Sequence, residues 1–367
     1  MYRAGIKELE ASYKKLSSWY YNVARSLILN IVRTFIDMYS PSRFVRLLSS
    51  PLCFDFLAVA TELDELDSGS TTVMGAILKD VLTPAEGIAI LGGKNFARFN
   101  VPNELDAVAA ELGLMDNEVE YLKYCSRMVA KVDEAAIQDG FHLYHHMMVV
   151  SYDGLWAVVQ QGINPITNKV RRYHWFSGKI KSFVEKPHEG IISQERSKFV
   201  LDMTAKESGE VRRASIELIV YDFKKLRHVY NVAKQRTQTN LSLWFDSPKV
   251  ESCIELPLRI NWRQIKNISL NPPSNYEGLL AIRGVGPETV RFLTFGCRWL
   301  YGIVPSMDDP AVVLDEYAAY IPSKEEERIL LDIVSAIELS NLPIELKNRT
   351  LHKVNTWLNQ KGNEFNA

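Results

Sequence analysis

Gly284 and Gly286 flank Val285 in the stretch LLAIRGVGPETVRFL (279–293), and Pro287 follows directly. Glycine tolerates the positive φ of a very tight turn. Proline suits the first position of a helix, where its missing N–H costs nothing. Leu279, Leu280 and Ile282 before the turn, and the amphipathic run after it, predict two helices joined by that turn with Val285 pinned between them. That layout is a helix-hairpin-helix, spanning about 276–302. The free N–H groups at the start of its second helix, backed by the positive end of the helix dipole, form a site for a nucleic-acid phosphate. Backbone contact is therefore assigned to Arg283, Gly284, Val285, Gly286, Thr289 and Arg291. A G-x-G turn that merely lets two helices pack closely is the competing reading.

Three other constellations carry chemistry. Segments 53–60, 73–82 and 87–91 read as strand, helix and strand of a parallel crossover unit. In such a unit Ser70, Thr71 and Thr72 at the helix start and Gly92-Gly93-Lys94 after the second strand meet at the carboxyl edge of the sheet. Hydroxyls, glycine N–H groups and a lysine suit a phosphate there. The acidic run Glu62, Asp64, Glu65 and Asp67 can hold a divalent cation, Mg²⁺ or Mn²⁺, as cofactor. The spacing is not that of a Walker loop, and an N-cap with a tight turn under a solvated acidic loop explains the same residues without a ligand.

His142, His145 and His146 form the second group, with His174, His188 and Asp153 in the same portion of the chain. On a strand His142 and His146 share a face and His145 points away. His145 and His146 are the candidate catalytic pair, suited to a metal or to proton transfer in phosphodiester cleavage; hydrogen-bonded core histidines are the alternative. The third group is RRYHWFSGKIKSF (171–183). Arg171 and Arg172 for phosphates, with Trp175, Tyr173 and Phe176 for stacking, are what unpaired nucleic acid requires. Period-two alternation alone would bury the aromatic face. A D…E-x-K nuclease core fails, because Gln160 and Gln161 stand where the E-x-K would fall.

The elements that must position these residues imply an α+β fold in three parts. Residues 1–137 read as helices followed by the strand-helix-strand unit, with a long helix over 5–48 broken at Ser40-Pro41-Ser42 and helices near 103–112 and 117–136. Residues 138–240 read as a basic, mostly antiparallel sheet: strands 141–150 and 155–162 turned at Tyr152-Asp153-Gly154, a strand over 170–176, a helix beginning in 199–205, and one basic helix over 212–237. Residues 241–367 read as a helical domain, with helices at 276–282, 288–301, 324–340 and 343–360.

The net charge of −1 supplies no global attraction to nucleic acid, so any basic surface is local. Residues 169–236 hold 16 Lys and Arg against 8 Asp and Glu, which places that surplus in the central portion. The 4 cysteines, Cys53, Cys125, Cys253 and Cys297, lack C-x-x-C spacing, which argues against a zinc ribbon or a disulfide scaffold. No signal peptide and no membrane-spanning run is read, so a cytoplasmic protein without a membrane partner is expected.

Several stretches together resemble an uncharacterised family of archaeal and thermophilic-bacterial proteins, a domain of unknown function, over about residues 40–310. They are SGSTTVMGAILKD (68–80), GGK (92–94), DGFHLYHH (139–146), DGLWAVVQQGIN (153–164), RRYHWFS (171–177), FVEKPHEGI (183–191), AKES (205–208) and IRGVGPETVR (282–291). The resemblance brings no established chemistry with it. The C-terminal part is also distantly similar to the helix-hairpin-helix DNA glycosylases. That likeness implies a catalytic carboxylate after the second hairpin helix, for which Asp308 and Asp309 are the candidates. Glu288 stands where lyase-active members carry a lysine, and DEYAAYIPSKEEERI replaces a Gly-, Lys- and Asp-rich stretch. The acidic TELDELD (61–67) likewise replaces an aromatic and a histidine, so a divergent member is implied.

The expected function is binding of nucleic acid, DNA before RNA, through the backbone in a repair or processing role. Alternatives are a DNA glycosylase or metal-dependent nuclease, and a non-catalytic subunit of a larger assembly with protein partners.

Overall fold

Alternating apolar residues build a central sheet whose two faces are both covered. The computed structural model describes residues 17–239, 257, 260–313, 316 and 320–365, with 67, 68, 235–239 and 361–365 described by backbone alone. Its strands are β1 (Ile88–Lys94), β2 (Ile137–Gln138), β3 (His142–Ser151), β4 (Trp156–Ile163), β5 (Val170–Phe176), β6 (Gly190–Ser193), β7 (Leu201–Asp202) and β8 (Val312–Val313). The main sheet runs β1-β3-β4-β5-β6-β8, antiparallel except for β6 with β8, and β2 pairs with β7 apart from it. Tyr152-Asp153-Gly154 turns β3 into β4 as expected, with Asp153 accepting from Ser42 and Ser151.

Met147 and Val149 on β3 enter one core, and Met148 and Val150 enter the other. The first core is made by α1 (Ser18–Met38), α2 (Pro41–Ser49), α3 (Pro51–Ala60) and α4 (Ser70–Val81), together with α12 (Lys324–Leu339) and α13 (Ile344–Phe365). The second is made by α5 (Val101–Leu112), α6 (Asp116–Lys131), α7 (Gly209–Val220), α8 (Phe223–Thr239), α9 (Trp262–Leu270), α10 (Tyr276–Ala281) and α11 (Pro287–Tyr301). The cores thus cut across the division into 1–137, 138–240 and 241–367. Arg43 pairs with Asp332, Arg349 with Glu62 and Lys353 with Asp64, and the Ser50 hydroxyl donates to Glu326, so the last helices pack on the first ones.

Four local expectations are corrected. Segment 53–60 is helix α3, because Ser50 accepts from the Cys53 N–H and Pro51 occupies the first turn. A short run that is apolar and buried at every position but Asp55 has no period that separates strand from helix. With that strand gone there is no parallel crossover, and β1 pairs antiparallel with β3. Segment 199–205 supplies β7 and a turn closed by Asp202, whose carboxylate accepts from Thr204, and the helix starts at Gly209. The single helix over 212–237 is two, α7 and α8, separated at Tyr221 and Asp222. Helix α6 ends in a π-helical turn, Val132–Ala136. Such turns re-aim side chains and recur at functional sites.

Candidate functional site

A groove of about 470 Å³ opens between α6, the β3–β4 hairpin and the glycine turn before α11. Its floor is polar. Ser126 on α6, His146 on β3 and Gln160 on β4 line it, and each is at least nine-tenths buried. Antiparallel register places His146 directly opposite Gln160. Gln160 Oε1 lies 2.8 Å from His146 Nδ1, and His146 Nε2 lies 3.0 Å from Ser126 Oγ. Behind Gln160 stands Asp133, fully buried in the π-helical turn.

Proton positions in this chain follow from donor and acceptor types. Asp133 also accepts from Trp175 Nε1 at 3.0 Å and faces His188 Nε2 at 2.6 Å. The Gln160 amide turns its NH₂ to Asp133 and donates to that carboxylate. Its Oε1 then faces His146 and requires a proton on Nδ1. Nε2 is left with its lone pair, and the Ser126 hydroxyl donates to it. Burial lowers the His146 pKa, with Arg98 in the same sense, against Gln160 and Asp133. The ring is therefore neutral at neutral pH. A hydroxyl on the free nitrogen of a neutral imidazole, itself oriented by a third group, is the arrangement of an activated nucleophile.

The rim supplies charge and a flat surface. Arg98 lies over the Phe99 ring at 4.5 Å, and Phe99 is exposed. Arg127 is exposed, and neither arginine meets a carboxylate among the described residues. Glu134 stands opposite, 3.6 Å from exposed His142.

Val285, Gly286 and Pro287 make the remaining wall. Helices α10 and α11 flank this turn, and Val285 is completely buried between them. Gly284 has φ +87°, a left-handed conformation that a Cβ would strain. Lys131 on α6 donates to the carbonyls of Ile282 and Val285, and Gln138 donates to that of Pro287, so the turn is tied to the groove. Burial lowers the Lys131 pKa. Gly286 at the N-cap brings no side chain, and among the described residues none caps α11, so its first N–H groups are open there, with Arg283 exposed and Thr289 and Arg291 half-buried beside them. A second hollow of about 770 Å³ lies on the outer side of the turn, against α9. Glu288 is exposed in the first turn of α11 and puts a negative charge at that helix start.

Other expected site residues lie elsewhere. Arg171 is fully buried between Asp139, at 2.8 Å, and Asp309, at 2.6 Å. It cannot reach a phosphate, and Asp309 is an ion-pair partner rather than a catalytic carboxylate. Asp308 is exposed and does not line the groove. Arg172 pairs with Asp55, and Trp175 is buried with its N–H on Asp133. The two arginines of 171–183 are thus consumed by carboxylates distant in sequence, whereas Lys179 and Lys181 stay exposed, Lys179 paired with Glu189. Arg212, further along, is likewise buried against Glu185 and the carbonyls of Met203 and Ala205.

The expected phosphate cluster is dispersed in part. The Gly92 N–H donates to Glu104 at 2.7 Å, so a carboxylate occupies the place of a phosphate. Thr71 is buried, Ser70 starts a buried first turn, and the Thr72 hydroxyl donates to the Gly69 carbonyl. Glu62 and Asp64 are neutralised by Arg349 and Lys353 of α13. Among the described residues no three His, Cys, Asp or Glu side chains converge as a metal would need. His145 and His146 face opposite sides of β3 and cannot act as a pair; His145 joins Thr72, Gly93 and Lys94 around a separate cavity. His174 is buried against the Leu48 carbonyl.

Ser126, Asp133, Arg98, Phe99 and Arg127 escaped the sequence reading. Two polar residues inside the apolar WAVVQQGI strand are a usable signal, since a buried amide must find a partner. Ser126 has none in the sequence.

The chain belongs to the family whose model is described as "Protein of unknown function (DUF763)", which matches residues 5–321. No curated protein and no solved structure matches it. Among the described residues no helix is long and apolar enough to cross a membrane.

Proposed function

We propose that this family member binds a nucleic-acid strand, DNA before RNA, by its phosphates at the turn before α11 and cleaves a phosphodiester in the adjoining groove. The observation that carries the reading is that Val285, Gly286 and Pro287 wall the groove whose floor holds Ser126 and His146. The turn with its open N–H groups reads as a helix-hairpin-helix, and such a helix start favours an anion without reading a base. Phe99 offers a stacking surface for an unpaired base, and Arg98 and Arg127 offer charge to its phosphate.

The chemistry follows from the proton positions. Ser126 gives its proton to His146 Nε2 as its Oγ bonds to phosphorus. The bond from phosphorus to the leaving sugar oxygen breaks, and that oxygen takes the proton from His146. Water then attacks the phosphoserine, gives a proton to His146, and Ser126 leaves with that proton restored. Gln160 holds the ring, and Asp133 holds Gln160.

A panel of single-stranded, duplex, uracil-containing, abasic and flap DNA, with matched RNA, tests the reading by gel shift and cleavage in EDTA, Mg²⁺ and Mn²⁺. The expected result is a salt-sensitive shift with product for the native protein, and a shift without product for Ser126→Ala. A shift without product for both would leave a binding protein, and no shift at any salt would overturn the nucleic-acid reading.

A further inference from the structure

The serine and histidine of the groove lie deep. Ser126 is 6% exposed and His146 4% exposed, so a phosphodiester meets them only by entering a groove of about 470 Å³. The reacting phosphorus must come within about 3–3.5 Å of the attacking oxygen. A groove of that size takes a ligand of small-molecule dimensions, such as a piece of one strand. In a duplex the bases are paired and turned inward, and only their edges open on its grooves.

The rim makes the same selection. After β1 the chain turns through a 3₁₀ helix, Asn95–Phe99, whose Arg98 and Phe99 line the groove. Residues three apart on a 3₁₀ helix lie on one side of it, with a rise of about 6 Å between them. Phe96 therefore continues the surface that Phe99 begins, and the two rings are 88% and 66% exposed. A rise of about 6 Å is close to two stacking steps of roughly 3.4 Å, the room that one base takes between two rings. The rings stand on braced backbone. Glu104 on α5 accepts from the Gly92 N–H at 2.7 Å, from Lys79 at 2.7 Å and from the Asn100 amide at 3.1 Å. Arg98 holds its guanidinium over the Phe99 ring, and Arg127 is exposed beside it. An apolar protein segment would cover the rings and leave both cations facing nothing, whereas an unpaired nucleotide supplies a flat base and a phosphate together.

We propose that Phe96 and Phe99 clamp an unpaired base, so that the groove accepts a strand only where it is single. The inference rests on the nucleic-acid reading of the groove. It adds the substrate class, unpaired strand over duplex, and makes Phe96 a residue that selects it.

The test uses the full chain carrying Ser126→Ala, which removes the attacking hydroxyl. The probes are a short single-stranded oligodeoxynucleotide carrying one 2-aminopurine and a blunt duplex with the same base paired near its centre, with matched oligoribonucleotides run beside them. The single strand is expected to bind at least tenfold more tightly than the duplex, with its 2-aminopurine fluorescence quenched on binding. Phe96→Ala and Phe99→Ala are each expected to weaken that binding by roughly five- to 150-fold, the usual share of one base stacked on an aromatic ring. Both should abolish the quenching and leave duplex affinity unchanged, and Phe99→Trp should retain it. Both rings are exposed, so the alanine variants should melt like the parent. If no oligonucleotide binds, the inference falls together with the nucleic-acid reading. If duplex binds as tightly as single strand, or both alanine variants bind and quench like the parent, the inference alone is overturned.

Discussion

His146 Nε2 and Ser126 Oγ lie 3.0 Å apart across the interface of β3 with α6, and a carboxylate two hydrogen bonds away determines which of them holds the proton. Asp133 touches neither residue. It fixes the Gln160 amide, which fixes the imidazole tautomer. Replacing Asp133 by Asn adds a donor where only an acceptor stood, so Gln160 is free to invert and His146 Nε2 to carry the proton. Ser126→Ala and His146→Ala are expected to lower cleavage by about 10²- to 10⁴-fold, the usual share of acid–base and nucleophilic assistance. Asp133→Asn should lower kcat in the same direction while KM holds. Steady-state kinetics beside gel-shift affinities check this; a fall in affinity matching the fall in rate would make Asp133 a merely structural residue.

Charge at the turn makes a separate prediction. Removing one cation that neutralises a phosphate should reduce the slope of log K against log salt by about one. Arg283→Ala and Arg127→Ala are therefore each expected to flatten that slope by about one. Glu288 sits in the first turn of α11, where the helix dipole would otherwise face the phosphate alone. Glu288→Gln should tighten binding about two- to fivefold at low salt, from a helix-terminus interaction of roughly 0.3–1 kcal/mol. Titrations at four salt concentrations decide; tighter binding by the native protein than by Glu288→Gln would sink the phosphate assignment.

Buried neutral histidines tie stability to pH. His145 is held at about 3, and His146 and His174 are also lowered by burial. Unfolded, each takes up a proton near pH 6.5. Below that value the unfolded state binds more protons, so this contribution is complete above pH 6.5 and is lost as pH falls toward the folded values. Each such histidine contributes a slope of at most about 1.4 kcal/mol per pH unit. Asp202, raised by burial, opposes the trend. The informative readout is thus the difference between the native protein and His145→Phe in urea midpoints from pH 4.5 to 7.5. The variant should lose less stability on acidification, and identical curves would contradict a neutral His145.

Arg171 allows stability to be separated from binding. Removing one member of a buried ion pair leaves uncompensated charge and costs about 3–5 kcal/mol. Arg171→Met leaves Asp139 and Asp309 facing each other, so its unfolding free energy from urea titration should fall by that order. At temperatures where the variant stays folded, its affinity and salt slope for nucleic acid should match those of the native protein. A flattened slope instead would mean that Arg171 reaches a phosphate.

Much of the local structure was legible because its causes are local. The two short runs 141–150 and 155–162, rich in Val and aromatic residues, with Asp153-Gly154 between, are enough to specify a β-hairpin. Gly284-Val285-Gly286-Pro287 is enough to specify two helices and a turn. Segment 53–60 was not legible, since a run apolar at every position but Asp55 hides the period, and losing that one strand removed the whole crossover unit and the phosphate edge inferred from it.

An α+β chain, a glycine turn between two C-terminal helices and a strand carrying adjacent histidines all follow from residue types and spacing. What those residues face was set when distant elements packed together. Whether Arg171 meets a phosphate or Asp309 depends on a contact 138 residues away in the chain. Whether His146 is inert or poised depends on Ser126, 20 residues before it, and on the β3–β4 register. Backbone propensity acts over a turn or a strand, whereas burial and charge pairing act through space. The same alternating pattern therefore fits a binding face or a core until the opposing elements are in place.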